Sequence, residues 1–134
     1  MIEKTLSIIK PDAVERNLVK DIKDIFTKNN LTIKNTRKIH ISKEEASEFY
    51  KVHQSKPFYD DLCAYLSSGP IVVMILEGEN AILENRKIMG STNPKEEQPN
   101  TIRKLYGISI DKNSVHGSDS LENAKKEISF FFKD

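Results

Sequence analysis

The pattern of extended and helical segments predicts an α/β sandwich, with helices packed on a small sheet. Three observations carry this. Residues 71–76 (IVVMIL) form a continuous apolar run of strand length, as a strand buried on both faces requires. Leu18, Val19, Ile22, Ile25 and Phe26 recur at the spacing of a helix with one apolar face. Extended and helical patterns alternate, with no two strand patterns joined by a hairpin turn. Strand order stays open at this stage.

The elements follow in sequence. Residues 3–9 read as the first strand, closed by Lys10-Pro11-Asp12, because proline cannot donate to a ladder. Lys10 then stands at a strand tip. The helix begun at Leu18 ends at Asn29-Asn30. Residues 31–41 alternate, with Leu31, Ile33, Ile39 and Ile41 on one parity and Lys34, Lys38 and His40 on the other. Ser42 with Glu45 fits a capping box opening a helix through Ala46, Phe49 and Tyr50 until Pro57, with further helix over 59–66. Gly69-Pro70 breaks the chain before the apolar strand, and Gly78 marks that strand's end. A helix from about residue 80 to 89 yields at Gly90 to a polar loop bearing Pro94 and Pro99. A short extended piece at 114–115 leads into His116. The last helix shows the period Leu121, Ala124, Ile128, Phe131, with Asp119 and Glu122 fitting a capping box at its start. Phe130, Phe131 and Phe132 fall at successive ~100° steps, so one chain's face is not expected to bury all three.

Composition narrows the function. The 134 residues suit one domain, 1–134. With 21 Lys+Arg against 20 Asp+Glu there is no global positive field to hold DNA or RNA, so any anion site must be local. The N-terminal apolar run is interrupted at Ser7 and stopped at Lys10, which fits neither a signal peptide nor a membrane span and reads as cytoplasmic. Cys63, the single cysteine, excludes an internal disulfide and reads as a small core residue.

The chemistry concentrates in Asn113-Ser114-Val115-His116-Gly117-Ser118-Asp119-Ser120. An imidazole stands beside a glycine just ahead of a helix start, where free N–H groups favour an anion. The glycines at 69, 78, 90, 107 and 117 build neither a P-loop nor a G-x-G-x-x-G turn. Phosphate must therefore be held by side chains, and Lys10, Arg86, Thr92 and Arg103 are the candidates. Taken singly, each is an ordinary surface cation or hydroxyl. His40, His53 and His116 lack zinc-ligand spacing. Ser118 and Asp119 stand too close to His116 in sequence to reach hydrolase-triad geometry.

Six ordered segments change the weight of these residues: residues 5–14 (TLSIIKPDAV), Phe49-Tyr50 with Lys56-Pro57-Phe58, residues 68–78 (SGPIVVMILEG), residues 86–94 (RKIMGSTNP), Thr101-Ile102-Arg103, and residues 113–120. In order and spacing the chain resembles the nucleoside diphosphate kinases. The resemblance implies a ferredoxin-like βαββαβ fold, an antiparallel four-stranded sheet covered by helices. It implies transfer of the γ-phosphate of a nucleoside triphosphate such as ATP or GTP to a diphosphate such as GDP. His116 would be the covalent relay in a ping-pong reaction. An imidazole attacks only when neutral, and its ordinary pKa near ~6.5 makes that form available.

By the same resemblance Lys10, Arg86, Thr92 and Arg103 stabilise the moving phosphoryl group, with Mg²⁺ bridging the substrate's phosphates rather than held in a protein cage. Asn113 and Lys10 reach the ribose. Phe58 stacks the base beside Leu62 and Ile110, which tolerates every base. Tyr50 and Ser118 assist near the phosphate, and Glu127 fixes the ring tautomer of His116. A homo-oligomer, a tetramer or hexamer of dimers, is implied, with neither a nucleic acid nor a membrane as partner. The chain departs from the family pattern at Asn100 and Lys104-Leu105, which bears on assembly, and at Lys20, where glycine is common. Two other readings compete: a phosphohistidine carrier, which needs no base platform such as Phe58, and a nucleic-acid-binding domain, which the net charge of +1 disfavours.

Overall fold

The computed structural model of the chain describes residues 2–51, 54–57, 59–90, 101–106 and 115–132. Its elements run β1 (Ile2–Ile9), α1 (Pro11–Glu15), α2 (Val19–Lys28), β2 (Thr32–Ile39), α3 (Lys43–Phe49), α4 (Tyr59–Leu66), β3 (Ile71–Glu79), α5 (Ala81–Met89), α6 (Ile102–Tyr106), β4 (Val115–Gly117) and α7 (Leu121–Phe131). The strands form one antiparallel sheet in the order β2-β3-β1-β4, the ferredoxin-like arrangement. β3 and β1 are central, paired from Ile2↔Glu79 to Ile9↔Val72. That is why residues 71–76 are apolar at every position: each is buried, whichever face it points to.

Helices cover both faces. On one, Ile9, Val72, Met74 and Leu76 pack under Ile22 and Phe26 of α2, Ile88 and Met89 of α5, and Ile102 of α6. On the other, Leu6, Ile8, Ile71 and Val73 pack against Ala46 of α3, Cys63 and Leu66 of α4, and Phe131 of α7. Cys63 is fully buried there.

Several local expectations are corrected. Leu31, Ile33, Ile39 and Ile41 do not share one face. A register shift between Ile33 and Asn35 reverses the alternation, so Leu31 and Ile33 enter the first core and Ile39 and Ile41 the second. α1 and α6 had no periodic signal because each is only five residues, too short to show an apolar face. The cap of α7 is Ser120, whose hydroxyl accepts from the Asn123 N–H at 3.1 Å, rather than Asp119 with Glu122. Asp119 instead accepts from the Asn123 amide at 2.6 Å. The three terminal phenylalanines are not all buried, as their spacing implies: Phe131 is buried, while Phe130 and Phe132 pack only partly buried on the same core.

The Ser42 capping box is present, with reciprocal bonds to Glu45. Gly90 closes α5 at φ +86°, a left-handed setting against Thr101 that favours glycine. Among the described residues no helix is long and apolar enough to cross a membrane.

Candidate active site

β4 is three residues long and forms the edge of the sheet beside β1. Ile8 of β1 pairs with His116, and Ser7 pairs with Gly117. Paired residues point the same way, so His116 lies on the face of Ile8, and Val115 and Gly117 lie on the face of α5. Gly117 is explained by that face. A Cβ there would strike the Asn85 amide nitrogen and come within 2.6 Å of Met89 Sδ, so α5 can lie this close only over glycine. Gly117 is there for helix packing.

The His116 ring is about one-fifth exposed and held on three sides. Its Nε2 lies 3.0 Å from Glu127 Oε1. The same carboxylate oxygen accepts from Ser118 Oγ at 2.8 Å, and Ser118 Oγ accepts from the Leu6 N–H at 3.3 Å. Glu127 is thus tied to the central strand β1 through a fully buried hydroxyl. Phe49 meets the ring edge-on at 5.3 Å between centroids, and Tyr50 at 6.3 Å. With Glu127 on Nε2, the neutral ring carries its proton on that nitrogen and its lone pair on Nδ1. The positioning shell of the ring is therefore Glu127, Ser118, Phe49 and Tyr50.

Positive charge gathers beside it. Arg103 of α6 is buried, donating from Nη2 to Val115 O at 2.9 Å and from Nη1 to Gly90 O at 3.3 Å. Burial and then the charge of Arg86 push its pKa down to about 10, so it remains protonated at neutral pH. Arg86 is exposed on α5, close enough for each arginine to feel the other. Two like charges held together are an arrangement that an anion relieves. Burial, and then Glu127, drive the Tyr50 phenol far above its ordinary range, so it stays neutral. The hydrogen bond from Asn123 holds the Asp119 carboxyl below its ordinary range. Lys10 is buried at the end of β1, one residue past Ile9, the partner of Val115.

Of the sequence candidates, His116, Ser118, Glu127, Tyr50, Arg103 and Arg86 come together here. Leu62 packs partly buried on the α3–α4 core. Phe58, Thr92, Ile110 and Asn113 lie outside the described residues. Sequence reasoning missed Phe49 as a wall of the site, and it missed Asp12, Arg16 and Tyr65, which bond to one another beside Lys10. Pro11 was the available signal for Asp12 and Arg16, since proline at a first helical position marks residue 10 as a cap and those two as neighbours one turn apart.

A ferredoxin-like sheet thus carries on its short edge strand a histidine bonded to a carboxylate, with two arginines beside it. Comparison with known proteins identifies the family. The family model described as "Nucleoside diphosphate kinase" matches residues 3–134. A nucleoside diphosphate kinase of Nitratiruptor sp. is 57% identical over 131 residues, covering 98% of this chain and 96% of the relative. One of Campylobacter jejuni is 58% identical over 132 residues at the same coverage. The crystal structure of the Aquifex aeolicus nucleoside diphosphate kinase superposes with a TM-score of 0.97 at 42% identity, covering 99% of this chain and 96% of that one. The chain belongs to the nucleoside diphosphate kinase family and is an enzyme of that type.

Proposed function

We propose that the chain moves the γ-phosphate of a nucleoside triphosphate to a nucleoside diphosphate through a phosphohistidine at His116. The observation that carries this is the 3.0 Å bond between Nε2 and Glu127, which leaves Nδ1 as the nucleophile. Nδ1 forms a bond to the γ-phosphorus while the bond from that phosphorus to the β,γ-bridging oxygen breaks, and the diphosphate leaves with the electron pair. The ring becomes cationic, and Glu127 compensates the charge. A second diphosphate, bound in the same place, attacks the phosphorus with a terminal oxygen, and the N–P electron pair returns to Nδ1.

Arg103 and Arg86, with Lys10 and Thr92, stabilise charge on the phosphoryl oxygens. Asn113 and Lys10 bind the ribose, and Phe58, Leu62 and Ile110 receive the base without selecting it. Tyr50, neutral and buried, braces the ring. Mg²⁺ on the substrate's phosphates would spread their negative charge. Among the described residues no three His, Cys, Asp or Glu gather as a metal cage, and a donor set of arginine and lysine suits a metal that arrives on its substrate. Residues 1–134 act as one cytoplasmic domain in a homo-oligomer of dimers.

The test is a chase. Protein incubated with γ-labelled ATP and Mg²⁺, then freed of nucleotide, should pass its label to GDP, CDP and UDP alike. Retention of the label on protein would favour the carrier reading instead.

A further inference from the structure

α1 starts at Pro11, and the residue in its cap position is Lys10, with φ −74° and ψ 164°, the extended geometry of an N-cap. Its side chain makes no cap hydrogen bond. Lysine has no acceptor, whereas Ser, Thr, Asp or Asn in this place would take the N–H of the second or third helical residue. Here the N–H of the second, Asp12, is taken by a residue from another helix: it donates to Tyr65 Oη of α4 at 2.8 Å. The same hydroxyl donates to Asp12 Oδ1. Asp12 Oδ2 meets Arg16 Nη2 at 3.2 Å, and Arg16 Nε donates to Asp12 O at 3.1 Å. Arg16 Nη2 also donates to Tyr106 O, at the end of the helix that carries Arg103.

We propose that Tyr65 is a positioning residue for phosphoryl transfer: a cap supplied by α4 leaves the cap position of α1 to Lys10 and, through Asp12 and Arg16, fixes the helix of Arg103. This rests on the kinase reading for the roles of Lys10 and Arg103. Burial, and then the bond to Asp12, keep the phenol protonated far above the usual tyrosine range, so it remains a donor at any pH of interest. A functional lysine stands where helix chemistry asks for an acceptor, and the missing bond is made from outside.

Tyr65→Phe keeps the ring and removes the hydroxyl. In the full chain it should lower kcat about tenfold with nucleotide KM within twofold, and lower the folding equilibrium constant roughly fivefold, the scale of a lost cap. In a Lys10→Ser background the stability loss from Tyr65→Phe should shrink below twofold, because the serine hydroxyl can take the Asp12 N–H. Unchanged kcat in Tyr65→Phe would reduce Tyr65 to a structural residue and overturn the positioning role. Equal stability losses in both backgrounds would overturn the cap. If the unsubstituted chain moves no phosphate, the kinase reading fails separately, and the stability cycle still decides the cap.

Discussion

The two edges of the sheet are built on opposite terms. β2 is eight residues long, six of them exposed, and is guarded by a register shift and by lysines such as Lys34, 3.9 Å from Glu77. β4 is three residues long and every one is committed. Val115 fills a core and gives its carbonyl to Arg103, His116 bonds Glu127, and Gly117 admits α5. The long edge tolerates change because its side chains end in water. The short edge positions atoms because each residue is fixed from at least two directions, as the chemistry proposed for it requires.

That contrast can be broken by substitution, and the largest effect belongs to Arg103. Arg103→Met should slow transfer by roughly 10²–10³. Its net stability cost at pH 7 should be small, because the carbonyls of Val115 and Gly90 lose a donor, about 1–3 kcal/mol, while a buried charge is removed. The depressed pKa of about 10 means the charged form is disfavoured in the folded state. A charge carried by folded and unfolded chain alike at neutral pH therefore opposes folding there, and this opposition fades only as pH rises past about 10. Urea unfolding alongside a rate assay checks both halves. A large loss of stability with an unchanged rate would put Arg103 in the fold and out of the site.

Gly117→Ala comes next. The new methyl must displace Asn85 or Met89, both buried, at a cost of about 1–3 kcal/mol. Because α5 moves with them, the rate should fall as well. A melt within a degree of the parent would show that α5 yields freely and that β4 is less constrained than described. The smallest effect is expected on the other edge. Lys34→Gln removes a half-exposed ion pair and should change stability by less than about 0.5 kcal/mol, with no change in transfer. A rate change there would make the long edge part of the machinery.

What the sequence disclosed divides along the same line. The central strand was legible from its unbroken apolar run, and the Ser42 capping box and the end of α5 at Gly90 because each rests on residues close in sequence. The bulge in β2 was not, since one extra residue leaves the local composition unchanged while reversing every side chain beyond it. Asp119 looked like a cap because it stands three residues before Glu122, yet Ser120 holds the extended geometry and takes the bond. His116 stood out beside its glycine ahead of a helix start, but its bond to Glu127 was legible only through family resemblance, as a bond between a strand and a helix eleven residues on leaves no periodic trace. The cap from Tyr65 spans 53 positions and could not be read at all.

The central claim is that Nδ1 of His116 carries the phosphate, and mapping the adduct tests it most directly. After brief exposure to γ-labelled ATP and Mg²⁺, quenching in base and digestion, the label should lie on the peptide containing His116. It should be lost in mild acid, survive base and give the Nδ1 isomer. His116→Ala should bind nucleotide and take up no label. A stable adduct on another residue, or label on the Nε2 nitrogen that Glu127 occupies, would contradict the account.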